Sequence, residues 1–176
     1  MEQVMIFRAG LLLGFLFAAW RWGDWHNWRN YYPTILFTML VNITASYLAY
    51  HQLLWVFTPD KIFTTHTVLN IFNTFTILPL TTLLFLSHLP RTTLLKKCRH
   101  IILWILLYGI IEAIDHQQGG ITYLHGWSLW CSVLLNCTMF PILAIHRHHP
   151  VIAWLITFLV AWLVIINFNF FAAEIR

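Results

Sequence analysis

Residues 151–171 read VIAWLITFLVAWLVIINFNFF, an unbroken run without Asp, Glu, Lys or Arg. Wound as an α-helix, a run of that length reaches across roughly 30 Å of bilayer hydrocarbon. Hydrocarbon offers no partner to a free backbone amide, so a helix that bonds its own backbone is the conformation open to it. Outward from this run the same reading recurs. Further apolar stretches occupy about residues 4–20, 33–51, 67–87, 100–116 and 123–145. The stretch from His100 is the shortest and reaches 116 only by including Asp115 and His116. The predicted fold is all-α: a polytopic integral membrane protein, a bundle of about six transmembrane helices, forming one domain over residues 1–176.

Composition agrees. The chain is 60% hydrophobic and 9% charged, with a mean hydropathy of +0.72. Six spans with short connections leave no room for a soluble catalytic domain, so any site lies in the bundle or on its loops. The net charge of +4 does not call for nucleic acid, because the basic residues sit between spans, where they set orientation. Cys98, Cys131 and Cys137 form no CxxC pair and read as small apolar residues. Met1-Glu2-Gln3 has no basic cluster and Arg8 interrupts the first apolar run, so that run reads as a retained span, not a cleaved signal.

Seven of the ten basic residues (Arg21, Arg29, Arg91, Lys96, Lys97, Arg99 and Arg147) fall in loops on one side of a six-span chain. The positive-inside rule puts that side in the cytoplasm and both termini outside. Arg8, Lys61 and Arg176 lie on the other side. Asp24, Trp25, Trp28 and Trp127 read as interfacial residues, where an aromatic ring and its polar edge meet different solvents. Asp24 is placed to cap a short interfacial helix or to pair with Arg21 or Arg29. Pro33 and Pro150 each open a span, where a missing N–H costs nothing.

Gly10, Gly14 and Ala18 make a small-residue face that allows close helix approach and suits a homo-oligomer. Polar stripes mark other faces: Asn42 on the second span, Asn70 and Asn73 on the third, and Ser128, Ser132 and Asn136 on the fifth. Two readings stand for them: hydrogen bonds between helices, or convergence on a polar cavity for a solute, ion or lipid headgroup.

Glu112, Asp115 and His116 share a helix face at i, i+3 and i+4. An ionisable group in a span costs a few kcal/mol unless paired, protonated or wetted. The trio is either a helix end reaching water, an acid–base relay, or a metal ligand set. Arg8 either snorkels outward or meets an acid such as Glu112 across the bundle. The chain has ten histidines. His88 and His146, at span ends on one side, join the trio as candidate ligands for a metal or haem, against the plainer reading of interfacial histidines. No cofactor is otherwise called for. P-loop, GxSxG and dinucleotide fingerprints are absent.

Several strings match in order: Trp22-Gly23-Asp24-Trp25, Tyr31-Tyr32-Pro33-Thr34, Phe85-Leu86-Ser87-His88-Leu89-Pro90, Tyr108 with Glu112, Gly126-Trp127-Ser128, and His146 with Pro150 and Ala153-Trp154. In these the chain resembles an uncharacterised family of small multi-spanning membrane proteins from spore-forming Firmicutes. The resemblance implies a bacterial plasma membrane or spore membrane and carries no activity. It points to Asp24, His88, Glu112, Trp127 and His146 as positions to test.

Three functions follow in order. The first is an accessory or assembly subunit without catalysis of its own, binding a membrane partner or lipid. The second is a small-solute or ion transporter or channel. The third is a membrane-embedded metal or haem protein.

Overall fold

The computed structural model describes residues 2–169. The predicted end of the last span at Phe171, and Arg176, lie outside the described residues. Among the described residues the chain forms seven α-helices: α1 (Glu2–Trp22), α2 (Tyr32–Leu48), α3 (His66–Phe75), α4 (Ile77–Ser87), α5 (Leu94–Gln117), α6 (Leu129–His146) and α7 (Pro150–Asn167). Two short strands, β1 (Trp55–Phe57) and β2 (Ile121–Tyr123), pair antiparallel with Trp55 opposite Tyr123. Four segments are long and apolar enough to cross a membrane: α1, the α3–α4 segment, α6 and α7. The apolar α2 is 17 residues long. The 24-residue α5 carries Lys96, Lys97, Arg99, Glu112 and Asp115.

Several predicted boundaries move, each for a local reason. The third span breaks at Thr76, because Pro79 offers no N–H and its ring crowds the carbonyl of Phe75. The helix over the predicted fourth span starts at Leu94, which puts Lys96, Lys97 and Arg99 on helix turns and not in a loop. Such long basic side chains can reach water from a helix end. The fifth span does not begin at Tyr123, which lies in β2. His125 (φ 51°) and Gly126 (φ 81°) turn the chain there, and α6 starts only after Ser128. The second span stops at Leu48 and not His51.

α4 is the hub, packing against α1, α2, α3 and α6. Its residues Thr81 to Leu86 are all buried. Phe85 and Phe140 meet at 5.2 Å in the core, with Tyr31, Leu86 and Leu143 around them. Hydroxyls join the helices across this core. Thr81 Oγ1 and Tyr108 Oη are 2.6 Å apart, Thr82 Oγ1 donates to Thr38 Oγ1 at 3.4 Å, and Thr34 Oγ1 bonds His146 Nδ1 at 3.0 Å. Large apolar side chains such as Leu13, Phe17, Leu155 and Phe158 point outward. In a bilayer these face a solvent as apolar as themselves.

Contacts gather the helix ends into two clusters. At one, Asp24 N donates to Ser87 Oγ, and the Arg147 guanidinium lies over the Tyr31 ring. A 3-10 turn, Trp25–Asn30, lies there. Asp24 caps it as expected: its Oδ1 accepts from Asn27 N and its Oδ2 from Tyr31 Oη at 2.8 Å. Hydrogen bonds from Asn27 and Tyr31 hold the Asp24 carboxyl below its ordinary range. At the other end, the β1–β2 ribbon lies beside the start of α1 and the end of α5.

Candidate functional site

α1 carries Arg8 to the ribbon end of the bundle, where one side chain fastens three distant segments. Its Nη1 donates to Thr58 O at 2.9 Å and to Asp60 Oδ2 at 3.1 Å, and its Nη2 donates to Gly120 O at 2.8 Å. Its Nε lies 3.7 Å from Asp115 Oδ1. The partner acids are therefore Asp60 and Asp115, not Glu112 as the sequence reading allowed. Glu112 sits one helical turn earlier on α5 and is taken by Tyr123, whose hydroxyl donates to Glu112 Oε1 at 2.9 Å.

The loop after β1 is built to present Asp60. Asp60 Oδ1 accepts from Ile62 N and Phe63 N, both at 2.8 Å, an Asx turn that leaves Oδ2 for Arg8. Burial pushes the Asp60 carboxyl up, but the Phe63 and Ile62 amides and the Arg8 guanidinium outweigh it and hold it below its ordinary value. On the other side, α5 ends at Gln117 with Gln118 as its cap, and Gly119 takes the left-handed conformation (φ 79°) common after a helix. Gly120 N then bonds back to Asp115 O at 2.7 Å. A Cβ at Gly120 would overlap the Asp115 carboxylate, so only glycine lets the ribbon approach α5 this closely.

His116 adds a further tie to β2. Its Nδ1 lies 2.8 Å from Ile121 O and its ring stacks on Tyr123 at 4.5 Å. Burial, then the neighbouring Glu112 charge, pushes the Tyr123 phenol up. One group in this network is left over. Asp115 is buried, with its side chain 9% exposed, and its Oδ1 has no hydrogen-bond partner.

Beneath the ribbon lies a cavity of about 460 Å³ between α1, α3 and α5. Trp55, Phe57 and Ile121 of the ribbon form one wall, and Leu12, Leu69 and Ile111 are among the apolar residues of the others. Arg8, Asp60, Glu112 and Asp115 are its ionisable lining. Asn42, Asn70 and Asn73 also line it. Two of them bond between helices as well: Asn42 Nδ2 donates to Thr74 Oγ1 and Asn70 Nδ2 to Ser46 Oγ, both at 2.7 Å. Asn42 and Asn70 thus bond between helices and, with Asn73, border the cavity.

The α6 stripe is not part of the cavity lining, though Ser132 lies beside Glu112. Ser132 Oγ accepts from Trp127 Nε1 at 2.9 Å, Ser128 Oγ lies 3.4 Å from Cys131 Sγ, and Asn136 is buried. Trp127, expected at an interface, is buried against the protein, its ring packing on Trp55 at 5.1 Å. Trp25 and Trp28 are exposed. Gly10, Gly14 and Ala18 face a groove that also includes His88 and His100. Nothing lies within 4 Å of a Cβ built on Gly10 or Gly14.

The five candidate metal ligands are not gathered into one site. Glu112, Asp115 and His116 belong to the ribbon end. His88 lies at the opposite end of its helix, with Nδ1 3.1 Å from Leu84 O. His146 is buried, bonded to Thr34 and stacked on Phe37 at 4.1 Å. Among the described residues, no three His, Cys, Asp or Glu side chains are grouped so as to hold a metal ion.

Sequence reasoning missed Asp60, Gly120 and Tyr123. The Pro59-Asp60 pair and the Gly119-Gly120 doublet were the available signals of tight turns. Nothing local announced that both turns meet Arg8. Comparison of the chain with family models, curated proteins and solved structures finds no match.

Proposed function

We propose that this protein is an integral membrane binding subunit, without catalysis of its own, that holds a small amphipathic molecule in the cavity beneath the β1–β2 ribbon. The observation that carries this reading is the cavity itself. It falls in the size range of ligand pockets, roughly 300–1,000 Å³, and pairs mainly apolar walls with a few polar and charged groups. A soluble domain with such a pocket would suit many ligands. A bundle with an apolar exterior suits one that partitions into lipid.

The same reading takes the chain as six-pass in a bacterial plasma membrane, in line with the family resemblance. The Lys and Arg residues support an orientation with the ribbon outside. Arg21, Arg29, Arg91, Lys96, Lys97, Arg99 and Arg147 belong to the end opposite the ribbon, where the positive-inside rule expects cytoplasm. Access from the bilayer is supported by the groove at Gly10 and Gly14, which shares Leu11, Phe15 and Ile111 with the cavity wall.

The test is native mass spectrometry of the protein released from lipid nanodiscs, with Leu12→Trp as the filled-cavity variant. A discrete small molecule retained by the wild type and lost from a folded Leu12→Trp supports the proposal. Equal retention by both would place the molecule elsewhere and defeat it.

A further inference from the structure

We infer that the cavity takes an organic cation, an ammonium head on an apolar body, with Asp115 as its principal anchor. This rests on the reading of the cavity as a ligand site and names the class of molecule.

The charge balance of the lining comes first. Three carboxylates, Asp60, Glu112 and Asp115, face one guanidinium, Arg8. Arg8 commits its Nη atoms to Asp60, Thr58 O and Gly120 O. Its Nε, 3.7 Å from Asp115 Oδ1, is beyond hydrogen-bond range. Glu112 has the neutral Tyr123 hydroxyl and no cation bonded to it. The lining therefore carries more acid than its one base can balance.

Asp115 is the most distinctive of these acids. More than nine-tenths of its side chain is buried, and it lines the cavity. Its Oδ1 has no hydrogen-bond partner. A buried acceptor without a donor is costly, and more so when it belongs to a carboxylate. A ligand N–H⁺ at the Asp115 carboxylate would add a hydrogen-bond donor beside the longer Arg8 ion pair and offset the excess acid of the lining. A carboxylate or phosphate head would instead meet three acids and one base, with the Arg8 Nη atoms already engaged.

The remaining walls suit such a cation. Trp55, Phe57, Phe63 and Tyr108 offer aromatic surfaces to an ammonium that has shed its water. Leu12, Leu69 and Ile111 offer a place for the apolar body.

The experiment compares three probes with one body and different heads: 4-phenylbutylammonium, 4-phenylbutanol and 4-phenylbutyrate. Binding is measured by calorimetry on the full chain in lipid nanodiscs, with empty nanodiscs as the baseline. The ammonium should bind about tenfold or more tighter than the alcohol, and the carboxylate weakest. In Asp115→Asn the ammonium should fall to the affinity of the alcohol. The ranking on the unmodified protein needs no variant, so a poorly folded Asp115→Asn does not spoil the test. If the alcohol binds as well as the ammonium, the cation assignment fails and the cavity reading stands. A tightest-binding carboxylate assigns the site to Arg8 and overturns the inference. If none of the three binds above baseline, the inference fails together with the cavity reading.

Discussion

Arg8 Nη2 donates a 2.8 Å hydrogen bond to Gly120 O, a residue 112 positions further along the chain. That bond, with those to Thr58 O and Asp60, joins α1 to the turn after α5 and to the loop after β1. The guanidinium can do this because it presents several donors in a fixed fork. Lysine has three donors on one nitrogen and lacks the planar fork that spans the loop and the turn together.

Arg8→Ala should therefore be strongly destabilising. It strands Asp60 and Asp115, whose side chains are 3% and 9% exposed. Removing one partner of a buried ion pair costs about 3–5 kcal/mol. Thermal unfolding in mild detergent should show a clear drop in midpoint, with Arg8→Lys between Ala and wild type. An Arg8→Ala that melts with the wild type would mean the ribbon is held by other contacts.

Two glycine substitutions should behave oppositely. Gly120→Ala forces a Cβ onto the Asp115 carboxylate, and such overpacking typically costs about 1–3 kcal/mol. Amide exchange at Trp55–Phe57 and Ile121–Tyr123 should speed up as the ribbon shifts. Gly10→Ala meets nothing within 4 Å and gains helix propensity of up to about 1 kcal/mol. Its midpoint should hold or rise. Equal loss in both variants would contradict the close approach at Gly120.

His146 should act as a packing residue. It bonds Thr34 Oγ1 at 3.0 Å and stacks on Phe37. Thr34→Val removes the partner and should cost about 1–3 kcal/mol. Added zinc should leave the unfolding midpoint of wild type and variant unchanged. A zinc-dependent rise that vanishes in His146→Ala would make this histidine a ligand after all.

Acid should loosen the ribbon. The Asp60 carboxyl sits below its ordinary value of 3.8 in the folded protein, so the unfolded chain binds more protons as pH falls through that region. The stabilisation is present above about pH 4 and is lost as pH drops through the folded value. Unfolding midpoints between pH 3 and 6 should fall at the acid end. Asp60→Asn should flatten that fall; Asp24, also depressed, leaves a residual slope at the other end of the bundle. Parallel profiles for wild type and Asp60→Asn would refute the assignment.

Much of the architecture was legible along the chain, because a helix in hydrocarbon satisfies its own backbone and announces itself by a local apolar run. The run from Val151, the proline at the start of α2 and the Asp24 cap are all of this kind: cause and consequence lie within a few residues. Runs also mislead where a local exception intervenes. Pro79 broke a stretch that looked continuous, and His125-Gly126 delayed α6 past Tyr123.

The candidate site is of the other kind. Asp115 was visible as a costly acid on the face of Glu112 and His116, but its neighbours were not. Arg8, Asp60 and Gly120 meet only when α1, the loop after β1 and the turn after α5 are folded together. The sequence by itself determined which segments are helical and apolar, since that depends on local backbone and solvent. Which acid Arg8 pairs with, and which carboxylate oxygen is left without a donor, only the tertiary structure decided, because charge pairing depends on distances of a few ångströms between residues remote in the chain.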